Sequence, residues 1–317
     1  RILVTGGAGF IGSHLCEALA ARGDRVVALD NFDPFYARRI KEENLADLSR
    51  QSAFRLVEGD IRCEADLDRA FDAGEQIDVV VHLAALAGVR PSLEAPLRYQ
   101  DVNVGGTVQV MEAMRRHGTT KLVFGSSSSV YGNNEKVPFH EDDRVDFPIS
   151  PYAATKRACE LLAHTYHHLF DFAVFCLRFF TVYGPRQRPD LAIHKFARIL
   201  RDGGSIPMFG DGTTRRDYTY IDDIVQGVLT AIDRVQGFRI YNLGESQTTA
   251  LRELIDLLGA SLGCTPVVER LPAQPGDVEQ TFADISRARE ELGYQPSTPV
   301  GEGIDRFVTW FRKRTEA

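Results

Sequence analysis

Short apolar runs alternate with longer amphipathic stretches along the first half of the chain. The runs have the length of β-strands, and the segments between most of them repeat their apolar positions with the period of an α-helix. Alternating strands and helices predict a parallel sheet that helices cover on both faces. The predicted strands are residues 2–5, 26–29, 54–57, 79–83, 122–124 and 173–177.

The pattern loosens beyond Arg178, where clusters of glycine and proline separate shorter elements. These clusters lie in the stretches "YGPRQRPD", "FGDGTTRRD" and "PAQPGD". A chain of 317 residues is also long enough for two lobes, at about 100 to 200 residues per domain. We therefore predict a second, smaller lobe in the C-terminal part.

Composition narrows the setting without choosing a function. The 37 basic and 44 acidic side chains give a net charge of -7, and no basic stripe is present, so nucleic acid is not an expected partner. The five cysteines are scattered and lack C-x-x-C spacing, which favours a reducing, cytoplasmic setting. No apolar run reaches about 18 residues, so we expect no contact with a membrane.

The first predicted strand leads into a glycine turn, "VTGGAGFIGSHL", which opens an amphipathic helix. Gly6, Gly9 and Gly12 are spaced so that the backbone can approach a pyrophosphate, and the helix N-terminus receives its charge. Asp30 ends the second strand, where a carboxylate can bind both ribose hydroxyls and repel a 2′-phosphate. Asp60 follows the third strand and lies either near the adenine amine or at a helix cap. The pattern predicts a Rossmann-type doubly wound parallel sheet, of class α/β, that binds NAD rather than NADP.

Four consecutive serines end the fifth predicted strand, in "FGSSSSVYG", and "SPYAATK" follows about 25 residues later. Ser150 is a candidate N-cap of a helix that places Tyr152 and Lys156 one turn apart on one face. An ammonium close to a tyrosine favours the phenolate. Tyr152 and a serine hydroxyl such as that of Ser127 can then address one substrate oxygen, as hydride transfer to NAD requires.

With these motifs the chain resembles the extended short-chain dehydrogenase/reductase family over essentially its full length. The resemblance implies that Ser127, Tyr152 and Lys156 are catalytic, with Tyr152 as the base. It implies an NAD-binding lobe of residues 1–177 and about 213–243, and a smaller C-terminal α/β lobe of residues 178–212 and 244–317 that binds a nucleotide sugar. Asn103, in "DVNVGGT", either supports the active-site helix or caps a helix. The implied NAD contacts are Gly6, Gly9, Phe10, Ile11, Gly12, Asp30, Asn31, Asp60, Ile61, Leu83, Ala84, Ala85, Tyr152 and Lys156.

The serine run helps to choose among the reactions of this family. Dehydratases of the family resemble one another in carrying the sequence Thr-Asp-Glu directly before the Val-Tyr-Gly segment. The decarboxylases resemble one another in carrying a glutamate just before that segment. Ser128 and Ser129 stand there in this chain and offer no carboxylate. Hydride removal and return on opposite faces of a ketone need no further acid, so the resemblance implies epimerisation at carbon 4.

Several segments of the second lobe resemble the uronic-acid branch of the 4-epimerases, among them "LRFFTVYGPRQRPD" and "RRDYTYIDDIV". The implied substrate is UDP-glucuronate, and an arginine fork such as that of Arg188 matches its carboxylate. Alternatively, Arg188 lies on a solvated loop. The implied substrate contacts are Ser127, Ser128 and Ser129 at the carbon 4 oxygen, Thr181 and Arg188 at the carboxylate, Lys195 and Phe196 near the uridine, Arg216 at the diphosphate, and Asp277.

Other readings of the sequence remain open. The enzyme alternatives are a UDP-glucose/galactose 4-epimerase and a UDP-glucuronate decarboxylase, and a non-catalytic NAD-binding redox sensor is the alternative outside enzymes. His164, His167 and His168 share a helix without carboxylate or cysteine partners, so we expect no metal. Helices after Pro96 and from Pro151 could form the seam of a homodimer.

Overall fold

A seven-stranded parallel sheet forms the centre of the molecule, in the order β11-β6-β5-β4-β1-β2-β3 with the strand bounds given below. The computed structural model describes residues 1–72, 74, 76–272 and 279–315. The strands are β1 (Ile2–Thr5), β2 (Val26–Asp30), β3 (Phe54–Glu58), β4 (Val79–His82), β5 (Lys121–Ser127), β6 (Ala173–Phe179), β7 (Thr181–Tyr183), β8 (Ser205–Phe209), β9 (Arg215–Arg216), β10 (Tyr218–Tyr220), β11 (Phe238–Leu243), β12 (Thr249–Ala250) and β13 (Val267–Leu271).

The six predicted strands are confirmed, and with them the Rossmann-type doubly wound parallel sheet. Strand β5 is longer than predicted because the polar residues Ser126 and Ser127 continue its pairing with β6. The prediction missed β11 as a strand, since Arg239 and Asn242 interrupt its apolar run. It nevertheless pairs in parallel with β6 along its whole length.

Helices cover both faces of this sheet. Helices α1 and α9 pack on one face, while α3, α6 and α7 pack on the other. The helices are α1 (Phe10–Arg22), α2 (Arg38–Leu45), α3 (Glu64–Phe71), α4 (Val89–Glu94), α5 (Pro96–Tyr99), α6 (Gly106–Arg116), α7 (Pro151–Phe170), α8 (Ala192–Arg201), α9 (Ile221–Arg234), α10 (Leu251–Leu262) and α11 (Val300–Thr315), and a π-helical turn (Gln100–Gly105) joins α5 to α6.

Both faces of each central strand are buried, which explains why the strands are continuous apolar runs. In β1, Ile2 and Val4 belong to the core on one face, and Leu3 belongs to the core on the other. Strands of a parallel sheet with two covered faces need apolar side chains in both directions. The two cores cover the faces of the sheet, and polar residues lie at its carboxyl edge.

The C-terminal part adds a smaller set of elements beside that edge. Helices α8, α10 and α11 pack together with the two-stranded sheet of β8 and β13. Leu254, Phe307 and Phe311 are buried where α10 meets α11. The division of the chain into lobes at the residues given above stays a prediction. No helix in the described ranges combines the length and the apolarity that crossing a membrane requires.

Candidate active site

A cavity of about 520 Å³ opens at the carboxyl edge of the central sheet, between the glycine turn and the C-terminal elements. Loops that follow parallel strands meet at this edge, so residues from distant parts of the chain converge there. Most of the predicted site residues line the cavity. They are Gly6, Gly9, Phe10, Ile11, Gly12, Asp30, Asn31, Ile61, Leu83, Ala84, Ala85, Ser127, Tyr152, Lys156, Thr181, Arg188 and Arg216.

Other predicted residues lie outside the cavity wall. Asp60 accepts a hydrogen bond of 2.9 Å from the side-chain amide of Asn31, and it is Asn31 that lines the cavity. Lys195 is exposed on α8, whereas Phe196 turns its ring into the core. The structure therefore does not bring this pair to the cavity. Asp277 lies outside the described residues.

The glycine turn has no room for side chains, which fits the diphosphate of a dinucleotide. A Cβ at Gly12 would lie 2.1 Å from the Gly6 carbonyl oxygen, and one at Gly6 would lie 2.8 Å from the Ala84 nitrogen. Helix α1 begins at Phe10, and no side chain caps it at Gly9. Its first backbone N–H groups are thus available to an anion that approaches the turn.

Asp30 is held in a fixed orientation at the end of β2. Its Oδ2 accepts a hydrogen bond from the Ala8 backbone at 3.1 Å, and its Oδ1 accepts one from the Phe32 backbone at 2.8 Å. The ammonium of Lys41 lies 3.3 Å from Oδ1, and both side chains are buried at the cavity. A carboxylate at this place favours a ribose diol over a 2′-phosphate.

Some residues that line the cavity were not predicted from the sequence: Phe35, Tyr36, Lys41, Gln187 and Tyr218. The aromatic pair lies in "DNFDPFYARR", where aromatic residues between turn formers were the available signal. Lys41 had no such signal, because a lysine in a short charged helix is typical of a solvated surface.

Tyr152 and Lys156 lie one turn apart near the start of α7, and both line the cavity. Ser150 caps this helix as predicted, since its Oγ accepts a hydrogen bond of 3.1 Å from the backbone of Ala153. The Lys156 ammonium donates to the carbonyl of Gly125 on β5 at 2.7 Å. The cap and this hydrogen bond fix α7 against the end of β5.

Asn103 supports the same helix from the other side. Its Nδ2 donates to the Thr155 hydroxyl and to the Leu86 carbonyl, each at 3.0 Å. Its Oδ1 accepts a hydrogen bond of 2.8 Å from the Leu86 backbone. The Asn103 amide thereby joins α7 to the loop after β4, which favours the supporting role over the helix-capping alternative.

The serine run divides into residues with different surroundings. Ser126 donates to the buried carboxylate of Glu160 at 2.7 Å. Ser127 lines the cavity, donates to the Ser129 hydroxyl at 3.0 Å and accepts from the Ser129 backbone at 3.1 Å. Ser128 and Ser129 begin a 3-10 turn and lie outside the cavity wall. Of the three serines predicted to contact substrate, the structure brings Ser127 alone to the wall.

Thr181 and Arg188 line the cavity from the C-terminal side. The backbone of Thr181 donates to the Asp217 carbonyl at 3.0 Å, which fixes β7 beside β10. Arg188 is not the solvated side chain of the alternative reading, since its guanidinium lies over the Phe35 ring at 5.1 Å. Its Nε and Nη2 donate to Asp190 at 3.0 and 2.8 Å. The fork expected to face a substrate carboxylate is therefore already paired within the chain.

Asp217 fixes the strand that carries Arg216 to the cavity. This carboxylate is fully buried and accepts backbone hydrogen bonds from Glu245 at 2.7 Å and from Ser246 and Ala283 at 3.1 Å. Burial raises the pKa of Asp217 to about 6, although these hydrogen bonds act in the opposite direction. The position of Arg216 thus depends on a carboxylate that is buried away from water.

Replacing Glu245 by glutamine should stabilise the protein in alkaline solution. Burial raises the Glu245 pKa from 4.5 to about 8, with smaller contributions from Asp223 and Asp217. A raised folded-state pKa means that stability is full below the unfolded pKa and is lost as the pH rises toward 8. After a discount for partial exposure, we expect Glu245→Gln to gain on the order of 1 kcal/mol at pH 9 and little at pH 5.

Urea unfolding at both pH values measures this difference. The exposed Glu135 provides the matched control, because Glu135→Gln should leave both unfolding curves in place. An equal gain from Glu245→Gln at pH 5 and pH 9 would mean that its charge does not destabilise the fold.

Comparison with known proteins identifies relatives over the full length of the chain. The family model described as "NAD dependent epimerase/dehydratase family" matches residues 2–244. The UDP-glucuronate 4-epimerase of Thermodesulfobacterium geofontis is 41% identical over 315 residues, which cover 99% of this chain and 97% of that protein.

Solved structures of this kind share the fold but differ in reaction. The UDP-glucuronic acid 4-epimerase of Bacillus cereus, solved with UDP-glucuronic acid and NAD, has a TM-score of 0.92 at 37% identity and covers 99% of both chains. A dTDP-glucose 4,6-dehydratase from Streptomyces venezuelae has the same TM-score at 32% identity, over 100% of this chain and 98% of that one. The fold therefore does not distinguish an epimerase from a dehydratase. The residues that line the cavity have to distinguish the two reactions.

Proposed function

This chain belongs to the NAD-dependent epimerase/dehydratase family, and we propose that it interconverts UDP-glucuronate and UDP-galacturonate by inverting carbon 4. One observation carries the proposal. The glycine turn, Ser127, Tyr152, Thr181 and Arg188 line a single cavity, so groups suited to a dinucleotide, a proton transfer and a carboxylate face one another.

The residues around the glycine turn fit NAD. Gly6, Gly9 and Gly12 leave the backbone open to its diphosphate, and the buried Asp30 carboxylate suits its adenosine ribose. Lys156, which also lines the cavity and is 5% exposed, would hold the nicotinamide ribose. Bound there, NAD supplies an acceptor for the carbon 4 hydride and afterwards a donor of the same hydride, so it is regenerated in each turnover.

Tyr152 handles the proton in this mechanism. Its phenolate oxygen takes the proton from the carbon 4 hydroxyl as the transient 4-keto sugar forms, and returns it when the hydroxyl is restored. The Ser127 hydroxyl, which donates to Ser129 in this structure, would turn to donate to the same sugar oxygen.

The described residues that line the cavity place no carboxylic acid beside Tyr152, as elimination of water would need. Among its described lining residues the carboxylates are Asp30, at the end of β2, and Asp33, in the loop that follows. A dehydratase needs an acid and a base beside the tyrosine, whereas Ser128 and Ser129 stand at those positions in this chain. The absence of a carboxylate beside Tyr152 supports epimerisation over dehydration.

A uronate substrate makes the carboxylate contacts essential. The 4-keto form is a β-keto acid, which loses carbon dioxide when the bond to its carboxylate aligns with the π orbitals of the ketone. An epimerase must prevent this alignment while the ring presents its other face to the cofactor. We assign this task to Thr181 and Arg188, with Arg216 at the diphosphate.

Proton NMR of the purified protein with UDP-glucuronate, without added reductant, tests the proposal. We expect UDP-galacturonate to accumulate to an equilibrium with no net reduction of NAD. UDP-pentose would show a decarboxylase, and turnover restricted to UDP-glucose would show an epimerase of neutral sugars. Failure to convert either sugar would favour a redox sensor.

We also propose a homodimer and a cytoplasmic location. Leu97 on α5 is 85% exposed, and Leu161 and Leu169 on α7 are 53% and 60% exposed, so neighbouring helices present apolar side chains that a second copy could cover. The five cysteines form no disulfide, which suits a reducing compartment. Sedimentation equilibrium distinguishes the dimer from a monomer.

A further inference from the structure

The guanidinium of Arg188 is paired with an acidic neighbour two residues further along the chain. Its Nε donates to Asp190 Oδ1 at 3.0 Å, and its Nη2 donates to Asp190 Oδ2 at 2.8 Å. Two parallel hydrogen bonds of this kind fix the plane of a guanidinium as well as its position. The side edge of Arg188 is consequently unavailable to a ligand while this pair is intact.

Two further contacts hold the same group. Nη2 also donates to the Ala87 carbonyl at 3.5 Å, and the guanidinium carbon lies 5.1 Å from the centre of the Phe35 ring. Nη1, in contrast, donates to no other residue in the described part of the chain. Arg188 therefore has one nitrogen left with which to bind a ligand.

Arg188 lines the cavity, but Asp190 does not. The Asp190 carboxylate thus holds the guanidinium from outside the space that a sugar would occupy, and it does not fill that space itself. It also balances the charge of a side chain that is 15% exposed. A cation in such surroundings is costly without a partner, so the pair keeps Arg188 in place when the ligand has no carboxylate.

We propose that Asp190 is a positioning residue for uronate recognition. It uses the Nε–Nη2 edge of Arg188 and so presents Nη1 to the sugar carboxylate, for which the Thr181 hydroxyl is the second donor. The inference rests on the proposed function, since it takes Arg188 to face a uronate. Selectivity for uronates then depends on a residue that does not touch the substrate.

Isothermal titration calorimetry with UDP-glucuronate, UDP-glucose and UDP tests this role. Asp190→Asn keeps the shape of the side chain but accepts one strong hydrogen bond in place of two. We expect it to weaken UDP-glucuronate binding by about tenfold, the loss of one charge-assisted contact, with UDP-glucose and UDP unchanged. Asp190→Glu should recover part of the loss, and Arg188→Gln should remove the preference for the uronate.

Asp146 offers a matched control. Arg144 donates to Asp146 at 2.7 Å with the same spacing in the chain, and its guanidinium lies 4.9 Å from the Phe147 ring. None of these residues lines the cavity. Asp146→Asn should leave all three affinities unchanged.

Three results would overturn the proposal. Equal weakening of all three ligands by Asp190→Asn would mean that Asp190 supports the fold, and tighter binding of UDP-glucuronate would mean that it competes with the substrate. Unchanged UDP-glucuronate binding would mean that Arg188 needs no positioning. These readouts do not use turnover, so a protein that binds the uronate selectively without converting it contradicts the proposed function and leaves the role of Asp190 standing.

Discussion

Replacing Tyr152 by phenylalanine should lower kcat for epimerisation by about a thousandfold, a typical cost of removing a general base. The substitution removes one oxygen and keeps the ring, whose centre lies 6.3 Å from that of Tyr99 in an edge-to-face arrangement. Without the phenolic oxygen, the carbon 4 hydroxyl has no acceptor for its proton as the ketone forms. The rate of UDP-galacturonate formation measures the loss, and calorimetry should show UDP-glucuronate binding weakened by only about tenfold, since one hydrogen bond to a charged oxygen is lost.

Tyr99 provides the control for this variant. Its hydroxyl donates to the Ala87 carbonyl at 3.1 Å, and its ring is buried and does not line the cavity. Tyr99→Phe removes the same atom from the neighbouring ring and should cost about 1 kcal/mol of stability without a comparable loss of kcat. If Tyr152→Phe kept a tenth of the parent activity, another group in the cavity would have to accept the proton.

The central sheet could be predicted because its signal is local. A strand covered on both faces needs a continuous apolar run, so β1 and β2 are visible in the sequence without knowledge of their neighbours. The second half of strand β11 is also buried, yet Asn242 interrupts its apolar run because the amide is satisfied by groups far away in the sequence. Its Nδ2 donates to the carbonyls of Phe139 at 2.8 Å and Asp284 at 3.1 Å.

The same distinction applies to the candidate site. The glycine turn and the Tyr152–Lys156 pair depend on spacing within one turn or helix, and they line the cavity. Four serines in a row carry no information on which of them faces a ligand, because the 3-10 turn after Ser127 sets their directions. The register of α8 likewise decides that Lys195 points to solvent.

Charged residues in the interior were the least predictable feature. Glu160 lies in an amphipathic helix, where a glutamate is typical of a solvated face, but it is 1% exposed. Its partner Arg178 is on β6, also 1% exposed, and donates to it twice at 2.9 Å. Ser126 on β5 and Arg157 on α7 also donate to Glu160, at 2.7 and 3.1 Å. A pairing of three elements cannot be predicted from the local pattern of any one of them.

Replacing Glu160 by alanine should therefore destabilise the protein by about 3–5 kcal/mol, because the buried Arg178 would lose its charged partner. Burial alone would oppose ionisation of Glu160, but the hydrogen bonds and charge of Arg178 outweigh it and lower the pKa of this carboxyl. A lowered folded-state pKa means that the stability is present above the unfolded pKa and is lost as the pH falls. Denaturant unfolding at neutral pH measures the full loss of stability. The stability of the Glu160→Ala protein should also fall less steeply than that of the parent as the pH is lowered.

Glu58 supplies the matched control, since Arg38 donates to it twice at 2.8 and 2.7 Å on the surface. Both of these side chains are about half exposed, so Glu58→Ala should leave the unfolding midpoint nearly unchanged. Glu160 also lies one turn beyond Lys156 and accepts from Ser126, the neighbour of Ser127, so its loss should lower kcat as well. Equal midpoints for the Glu160→Ala and Glu58→Ala proteins would mean that water or a rearranged side chain compensates Arg178, and that the end of β5 is held by other contacts.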